Sequence, residues 1–183
     1  MRIIGGKYKG QSLKAPISSD IRPSSDRLRE SLFNILAHAY DDICQEARVL
    51  DLFAGTGALA IEALSRGAAL AALVDSGIEA RGIIRTNLDN FSLGGTAKLL
   101  KRDATKLGMV TNYQPFTLIF CDPPYNRGLA ELALISAKNG GWIAEKALII
   151  VEEATKAGFT PPDGFTLLET RPMGDTTLYF LQT

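Results

Sequence analysis

The sequence predicts a doubly wound α/β fold built on a mostly parallel, Rossmann-like sheet of seven strands. Three observations carry that expectation. From residue 48 onward, short apolar runs alternate with segments of helical period, a pattern that places parallel strands beneath helices on both faces. The first run passes directly into the turn Ala54-Gly55-Thr56-Gly57, where such folds bind ligands. Two β-prone runs flank Gly174-Asp175, which closes the sheet with an antiparallel C-terminal strand.

The elements follow in order. Arg2–Leu13 reads as a small β-hairpin extension, two β-prone runs around Gly5-Gly6 and Gly10. A polar stretch continues to Pro23, so residues 1–23 form a basic arm and 24–183 the main domain. Ser24 or Ser25 caps a helix whose apolar stripe is Leu28, Leu32, Ile35, Leu36 and Ala39, leaving Arg27, Glu30 and Asn34 off it. Strands are expected over Arg48–Phe53, Leu70–Val74, Ala97–Leu100, Phe116–Cys121 and Ala147–Val151. Helices are expected over Ala58–Ser65, Ile78–Phe91 and Leu129–Lys138. Phe165–Thr170 and Thr176–Leu181 form the terminal antiparallel pair.

The bulk numbers exclude some classes. At 183 residues the chain suits one domain with a sizeable core plus a small appendage. No apolar run reaches the roughly 18–20 residues of a membrane span, and the start lacks a secretory pattern. Cys44 and Cys121, far apart, read as reduced thiols in the cytoplasm. With one His beside them they offer no metal cluster. The net charge of zero hides an asymmetry: residues 1–29 carry +5 and the rest −5. A basic arm on an acidic body suits phosphate contact, or equally a solvated edge kept soluble by its charge.

The ends of the first four strands each carry an acid, Asp51, Asp75, Asp103 and Asp122. The turn Gly55-Thr56-Gly57 alone also fits a dinucleotide fingerprint, with Asp75 as its ribose acid. A pyrophosphate would be repelled by that acidic rim. S-adenosylmethionine (SAM) instead presents a sulfonium, an ammonium, ribose hydroxyls and an adenine amino donor, which suit four acceptors. The expected cofactor residues are therefore Asp51, Phe53, Ala54, Gly55, Thr56, Gly57, Asp75, Ser76, Asp103 and Ala104, with Asp75 at the ribose and Asp103 near the adenine amino group.

The fourth strand runs into Asp122-Pro123-Pro124-Tyr125. Consecutive prolines fix φ and remove two N–H donors, leaving rigid carbonyls. A carboxylate beside such a carbonyl offers two acceptors for the two hydrogens of an aromatic amino group, which aims its lone pair out of the ring plane. Asp122 then takes the released proton. Tyr125 gives an unstacked base a flat face, worth about 1–3 kcal/mol. Elsewhere a Pro-Pro turn with an Asx cap is the ordinary reading; after the fourth strand of this fold the chemical one is favoured.

Several blocks resemble one family. Met1-Arg2-Ile3-Ile4-Gly5-Gly6 with Lys9-Gly10, the run Arg22–Asn34, Asp51–Gly57, Glu62–Ala68 and Asp122–Tyr125 with Arg127-Gly128-Leu129 are similar to bacterial 16S rRNA guanine-N2 methyltransferases of the RsmD type. The family usually has Thr where Ser24 and Ser25 stand here. The resemblance implies a SAM-dependent enzyme that methylates a guanine N2 amine of 16S rRNA within the small ribosomal subunit. It places Arg22, Arg27 and Glu30 beside the active site and the hairpin against RNA. The expected RNA contacts are Arg2, Lys7, Lys9, Lys14, Arg22 and Arg27, on a monomer without membrane or metal. The alternatives are an adenine-N6 or protein-glutamine methyltransferase, or a noncatalytic SAM- or RNA-binding assembly factor. Plainer readings fall to His38 as a polar-face residue, Cys121 and Trp142 as core, and Glu152-Glu153 as a solvent-facing strand end.

Overall fold

The computed structural model describes residues 1–16, 25–125 and 127–183. Arg22 and Ser24 lie outside the described residues. Seven strands form one sheet in the order β3-β2-β1-β4-β5-β7-β6. They are β1 (Arg48–Leu52), β2 (Leu70–Val74), β3 (Ala97–Leu100), β4 (Phe116–Cys121), β5 (Ile143–Ala154), β6 (Thr166–Met173) and β7 (Thr176–Gln182). Strands β1 to β5 pair in parallel, and β7 runs antiparallel to both neighbours. The helices are α1 (Asp26–Ala39), α2 (Ala58–Ser65), α3 (Ile78–Asn90) and α4 (Leu129–Asn139).

Strand alternation sorts the core onto two faces. Val49, Leu73, Leu118 and Phe120 point to one side, where they pack with Phe33 of α1, Ile61 of α2 and Ile84 of α3. Leu50, Leu52, Val74, Ile119 and Cys121 point to the other, against Ala133 and Leu134 of α4 and against Trp142. Trp142 stacks on Phe116 with ring centroids 6.1 Å apart, and its indole N–H donates to the Gly108 carbonyl at 2.7 Å. Such a pair adds about 0.5–1.5 kcal/mol beyond the area it buries. The core readings of Trp142 and Cys121 hold, and His38 is exposed.

Several details differ from the sequence expectations, among them β6, which runs on to Met173 where Thr170 was expected. β1 stops at Leu52, because Phe53 adopts a φ of 62° that no strand accommodates. β5 begins four residues early: Ile143 pairs with Phe116 across a register shift, and the polar Glu145-Lys146 hid that extension. β5 also continues through Glu152 and Glu153, which are 6% and 4% exposed and do not face solvent. Their burial follows from β7, which pairs alongside as far as Ala154–Thr176. Finally, the N-terminal segment folds back on itself through a single antiparallel bridge, Arg2–Ser12, around a 3₁₀ turn at Gly6–Tyr8.

That segment packs tightly on α2. Ile3 and Leu13 are buried in the core, and Gly6, at φ 73°, lies so close that a Cβ would sit 1.9 Å from the Ser65 carbonyl oxygen. Ser25 caps α1, its hydroxyl accepting from the Leu28 N–H at 3.1 Å. The buried face of α1 is Arg29, Leu32, Phe33 and Leu36. Arg29, counted among the charges of the arm, is thus an interior residue.

Candidate active site

The C-terminal ends of β1, β2 and β4 converge on one open cavity of about 600 Å³. It forms where the strand order reverses, β1 leading outward to β2 on one side and β4 lying on the other, the place where open α/β sheets bind ligands. Asp51, Phe53, Ala54, Gly55, Thr56, Asp75 and Ser76 line it from one side, and Asp122, Pro123, Pro124 and Tyr125 from the other. The two motifs singled out in the sequence therefore share a single space.

The glycine turn is shaped by its backbone. Gly55 and Gly57 take φ of 57° and 78°, and the Gly57 N–H donates to the Ala54 carbonyl at 2.7 Å. A Cβ on Gly57 would meet Leu73 Cδ2 at 2.9 Å, so this glycine serves the close approach of α2 to β2. It does not itself line the cavity.

Each acid has its own environment. Asp51 is 2% exposed and accepts one N–H, from Ala60 at 3.2 Å. Burial pushes its carboxyl up to about 7, the neighbouring Asp75 adding to the rise and the Ala60 N–H opposing it. Asp75 accepts from the Gly55 N–H at 2.9 Å and the Gly77 N–H at 2.8 Å, so it ties the glycine turn to the loop after β2. Each oxygen keeps a second lone pair for a ligand. Asp103 caps the 3₁₀ turn Ala104–Lys106, accepting from the Thr105 N–H and hydroxyl, and those bonds lower its carboxyl's pKa. Neither Asp103 nor the buried Ala104 is on the cavity wall.

Asp122 follows β4, and its N–H donates to Leu52 at the end of β1 at 3.4 Å. Tyr125 is half-buried, its hydroxyl donating to Glu152 Oε1 at 2.5 Å. Burial, then Asp122 and the Glu152 hydrogen bond, raise the phenol's pKa. Six wall residues escaped the sequence reading: Ala58 and Leu59 of α2, and Gly77, Ile78, Glu79 and Ala80 after β2. Ile78, 83% exposed at the start of α3, offers an apolar surface on the rim; its only signal is a large aliphatic side chain just after an acidic strand end. Leu59 of α2, buried in the core, also reaches the cavity wall.

The basic arm adjoins this wall. Met1 Sδ lies 3.9 Å from the Thr56 hydroxyl, and Asn87 bridges the Lys14 backbone N–H (2.7 Å) to the Thr56 carbonyl (2.9 Å). Arg2, Lys7, Lys9, Lys14 and Arg27 are exposed. Arg2 approaches Asp26 at 3.7 Å, and Lys7 lies over the Tyr8 ring at 5.1 Å. Among the described residues no group of three His, Cys, Asp or Glu side chains could hold a metal, and no helix is long and apolar enough to cross a membrane.

A model of the family described as conserved hypothetical protein 95 matches residues 1–182. The chain belongs to this family, the RsmD family. Ribosomal RNA small subunit methyltransferase D of Escherichia coli K12 is 38% identical over 168 residues, 91% of this chain and 82% of that protein. The solved structure of the Escherichia coli protein yhhF, provisionally titled a methyltransferase, matches with a TM-score of 0.84 at 35% identity, covering 100% of this chain and 97% of that one. Magnesium protoporphyrin IX methyltransferase of Synechocystis PCC 6803, solved with SAM bound, shares the fold. Its TM-score is 0.62 at 16% identity, covering 85% of this chain and 78% of that one. The RsmD family chain thus carries the methyltransferase sheet, with residues 4–8 held against α2.

Proposed function

We propose that this protein transfers a methyl group from SAM to the exocyclic N2 amine of a guanine in 16S rRNA of the small ribosomal subunit. The observation that carries the proposal is the single cavity walled by both the glycine turn and Asp122–Tyr125. Methyl transfer from SAM to rRNA draws support from the named relatives in the family; guanine N2 is the finer step, drawn from the family resemblance.

The wall fits the cofactor by its chemistry. Asp51 is a buried carboxylate held back from ionising for want of a counter-charge, and the Asp75 carboxylate retains lone pairs for ribose hydroxyls. SAM bound here supplies a methyl carbon on a cationic sulfur. The chain's own residues do the rest. Asp122 accepts an amino hydrogen, a carbonyl held by Pro123-Pro124 accepts the other, and Tyr125 supports the base. Asp122 then carries the released proton away. The exposed Arg2, Lys7, Lys9, Lys14 and Arg27 meet the RNA backbone, with Arg22 assigned the same part by resemblance.

The direct test is tritiated-SAM transfer to small subunits from a strain lacking the family enzyme, beside naked rRNA, DNA and protein, with nucleoside analysis of the product. Label on guanine N2 is expected; label on adenine or on protein would redirect the assignment. SAM is also expected to raise the melting temperature where NAD does not.

Asp51 gives the cofactor step a pH signature. Its carboxyl titrates near 7 in the folded protein against 3.8 unfolded. The folded state therefore holds the extra proton between these values, and this group's contribution to stability is present at low pH and lost as pH rises toward 7. A bound cation reverses that loss. SAM is thus expected to bind about tenfold more tightly at about pH 8 than at about pH 6, and Asp51→Asn to abolish the difference. Equal affinities at both pH values for the unaltered protein reject Asp51 as the counter-charge.

A further inference from the structure

Glu152 lies on β5, with β4 on one side and β7 on the other, and is 6% exposed. Its Oε1 accepts the Tyr125 hydroxyl at 2.5 Å, while the hydroxyl of Thr176, at the start of β7, stands 3.4 Å from the same phenol oxygen. Two strands of the rigid sheet thus grip the tip of a side chain that begins on the loop after β4. We infer that Glu152 is a positioning residue for methyl transfer, fixing the Tyr125 ring as the face on which the target base lies. The inference rests on reading Asp122–Tyr125 as the amino-group site.

The physical case has four parts. A stacking face is useful only at one height and tilt relative to the Asp122 carboxylate, and a loop tyrosine left to its rotamers would move its ring by several ångströms. A hydrogen bond to a carboxylate is short and about twice as strong as one between neutral groups, so it holds the ring better than a hydroxyl or an amide would. The phenol's raised pKa keeps its hydroxyl a donor throughout the working range. Lastly, a buried carboxylate carries a desolvation cost that an apolar residue at the same inward position would avoid. The hydrogen bond from the Tyr125 hydroxyl gives that acid a use in holding the ring.

Four variants test this on unmethylated small subunits: Tyr125→Phe, Glu152→Ala, Glu152→Gln and the double Tyr125→Phe/Glu152→Ala. Phosphate contacts dominate binding of the particle, so the loss belongs in kcat. Tyr125→Phe and Glu152→Ala are each expected to lower kcat about 10-fold to 100-fold, the rate equivalent of a charged hydrogen bond. The double variant is expected to be no slower than the worse single one. Glu152→Gln, which keeps an acceptor oxygen but makes a weaker hydrogen bond, is expected to fall between the parent and Glu152→Ala, and SAM affinity to stay within about twofold. In the protein without substrate, a downfield hydroxyl proton in the NMR spectrum is expected, absent from Tyr125→Phe and Glu152→Ala alike. Normal kcat in Glu152→Ala, multiplying defects in the double variant, or a loss confined to SAM affinity and melting temperature overturns the inference. No transfer by the unaltered protein, with the hydroxyl signal present, overturns the RNA reading and the catalytic part of this one, and leaves the hydrogen bond standing.

Discussion

Asp122→Ala is expected to bind SAM with an affinity within about twofold of the parent and to transfer methyl groups about 10³-fold more slowly. The magnitude follows from what the carboxylate does. Orienting a weakly nucleophilic aromatic amine and relieving its developing positive charge is worth about 10²–10³ in rate for one preorganised group, and accepting the proton adds a comparable factor that overlaps with it. Cofactor binding survives because Asp51 and Asp75 reach the cavity from β1 and β2, independently of the loop after β4. Asp122→Asn is the sharper variant. It keeps the shape and one acceptor oxygen but can take up no proton, so a loss close to that of alanine assigns the effect to charge. Single-turnover transfer of tritiated methyl to small subunits, with calorimetry of SAM binding, separates the two steps. Full turnover in Asp122→Ala would falsify the catalytic role.

The site was readable in the sequence to the extent that it is local. β2, β3, β4 and α2 begin and end where expected: β2 and β4 are almost wholly buried and stop at Asp75 and Asp122, while β3, at the sheet edge, keeps Lys98 exposed. Placing Asp51, Asp75 and Asp122 at the ends of those strands needed only the rule that ligands gather there. Asp103 shows the limit of that rule. An acid just beyond a strand can serve its own loop, and this one caps the turn at Thr105 instead of lining the cavity. What stayed illegible depends on contacts between distant segments. Glu152-Glu153 has the appearance of a solvated strand end until β7 and the Tyr125 loop close over it. Arg29, in a run of charged residues, looks like part of the arm until α2 brings Glu62 against it. Short-range periodicity carries no record of either meeting.

That second meeting sets the largest stability effect expected in this protein. Glu62 and Arg29 are fully buried, 3.7 Å apart at their nearest charged atoms. Glu62 Oε1 also accepts from the Gly5 N–H at 2.8 Å and from Arg66 Nε at 2.9 Å, and Oε2 from the Ile4 N–H at 2.8 Å. Arg29 in turn donates to the Arg2 carbonyl at 2.9 Å and to Asp26. One carboxylate thus satisfies two backbone donors of the arm and offsets a guanidinium in the interior, whose Nε and Nη1 have no hydrogen-bond partner among the described residues. Glu62→Ala removes these partners together. Removing the buried partner of a buried charge costs about 3–5 kcal/mol, toward the lower end here because Arg29 keeps Asp26, and in a chain of this size each kcal/mol is about 2–4 °C of melting temperature. A drop of about 10 °C is expected in thermal denaturation, with hydrogen exchange at Ile4 and Gly5 rising first. Removing the charge that needs the partner separates ion pairing from packing. Adding Arg29→Met to Glu62→Gln is expected to cost less than the two single changes summed, since the glutamine still accepts one arm N–H while the fully buried guanidinium is gone and only the partly exposed Arg66 remains. A loss below about 1 kcal/mol in Glu62→Ala, or strict additivity in the pair, would mean that the arm is held by Ile3 and Leu13 alone. A loosened arm should also slow transfer to small subunits while SAM affinity holds, because the exposed lysines of residues 7–14 ride on the same backbone that Glu62 grips.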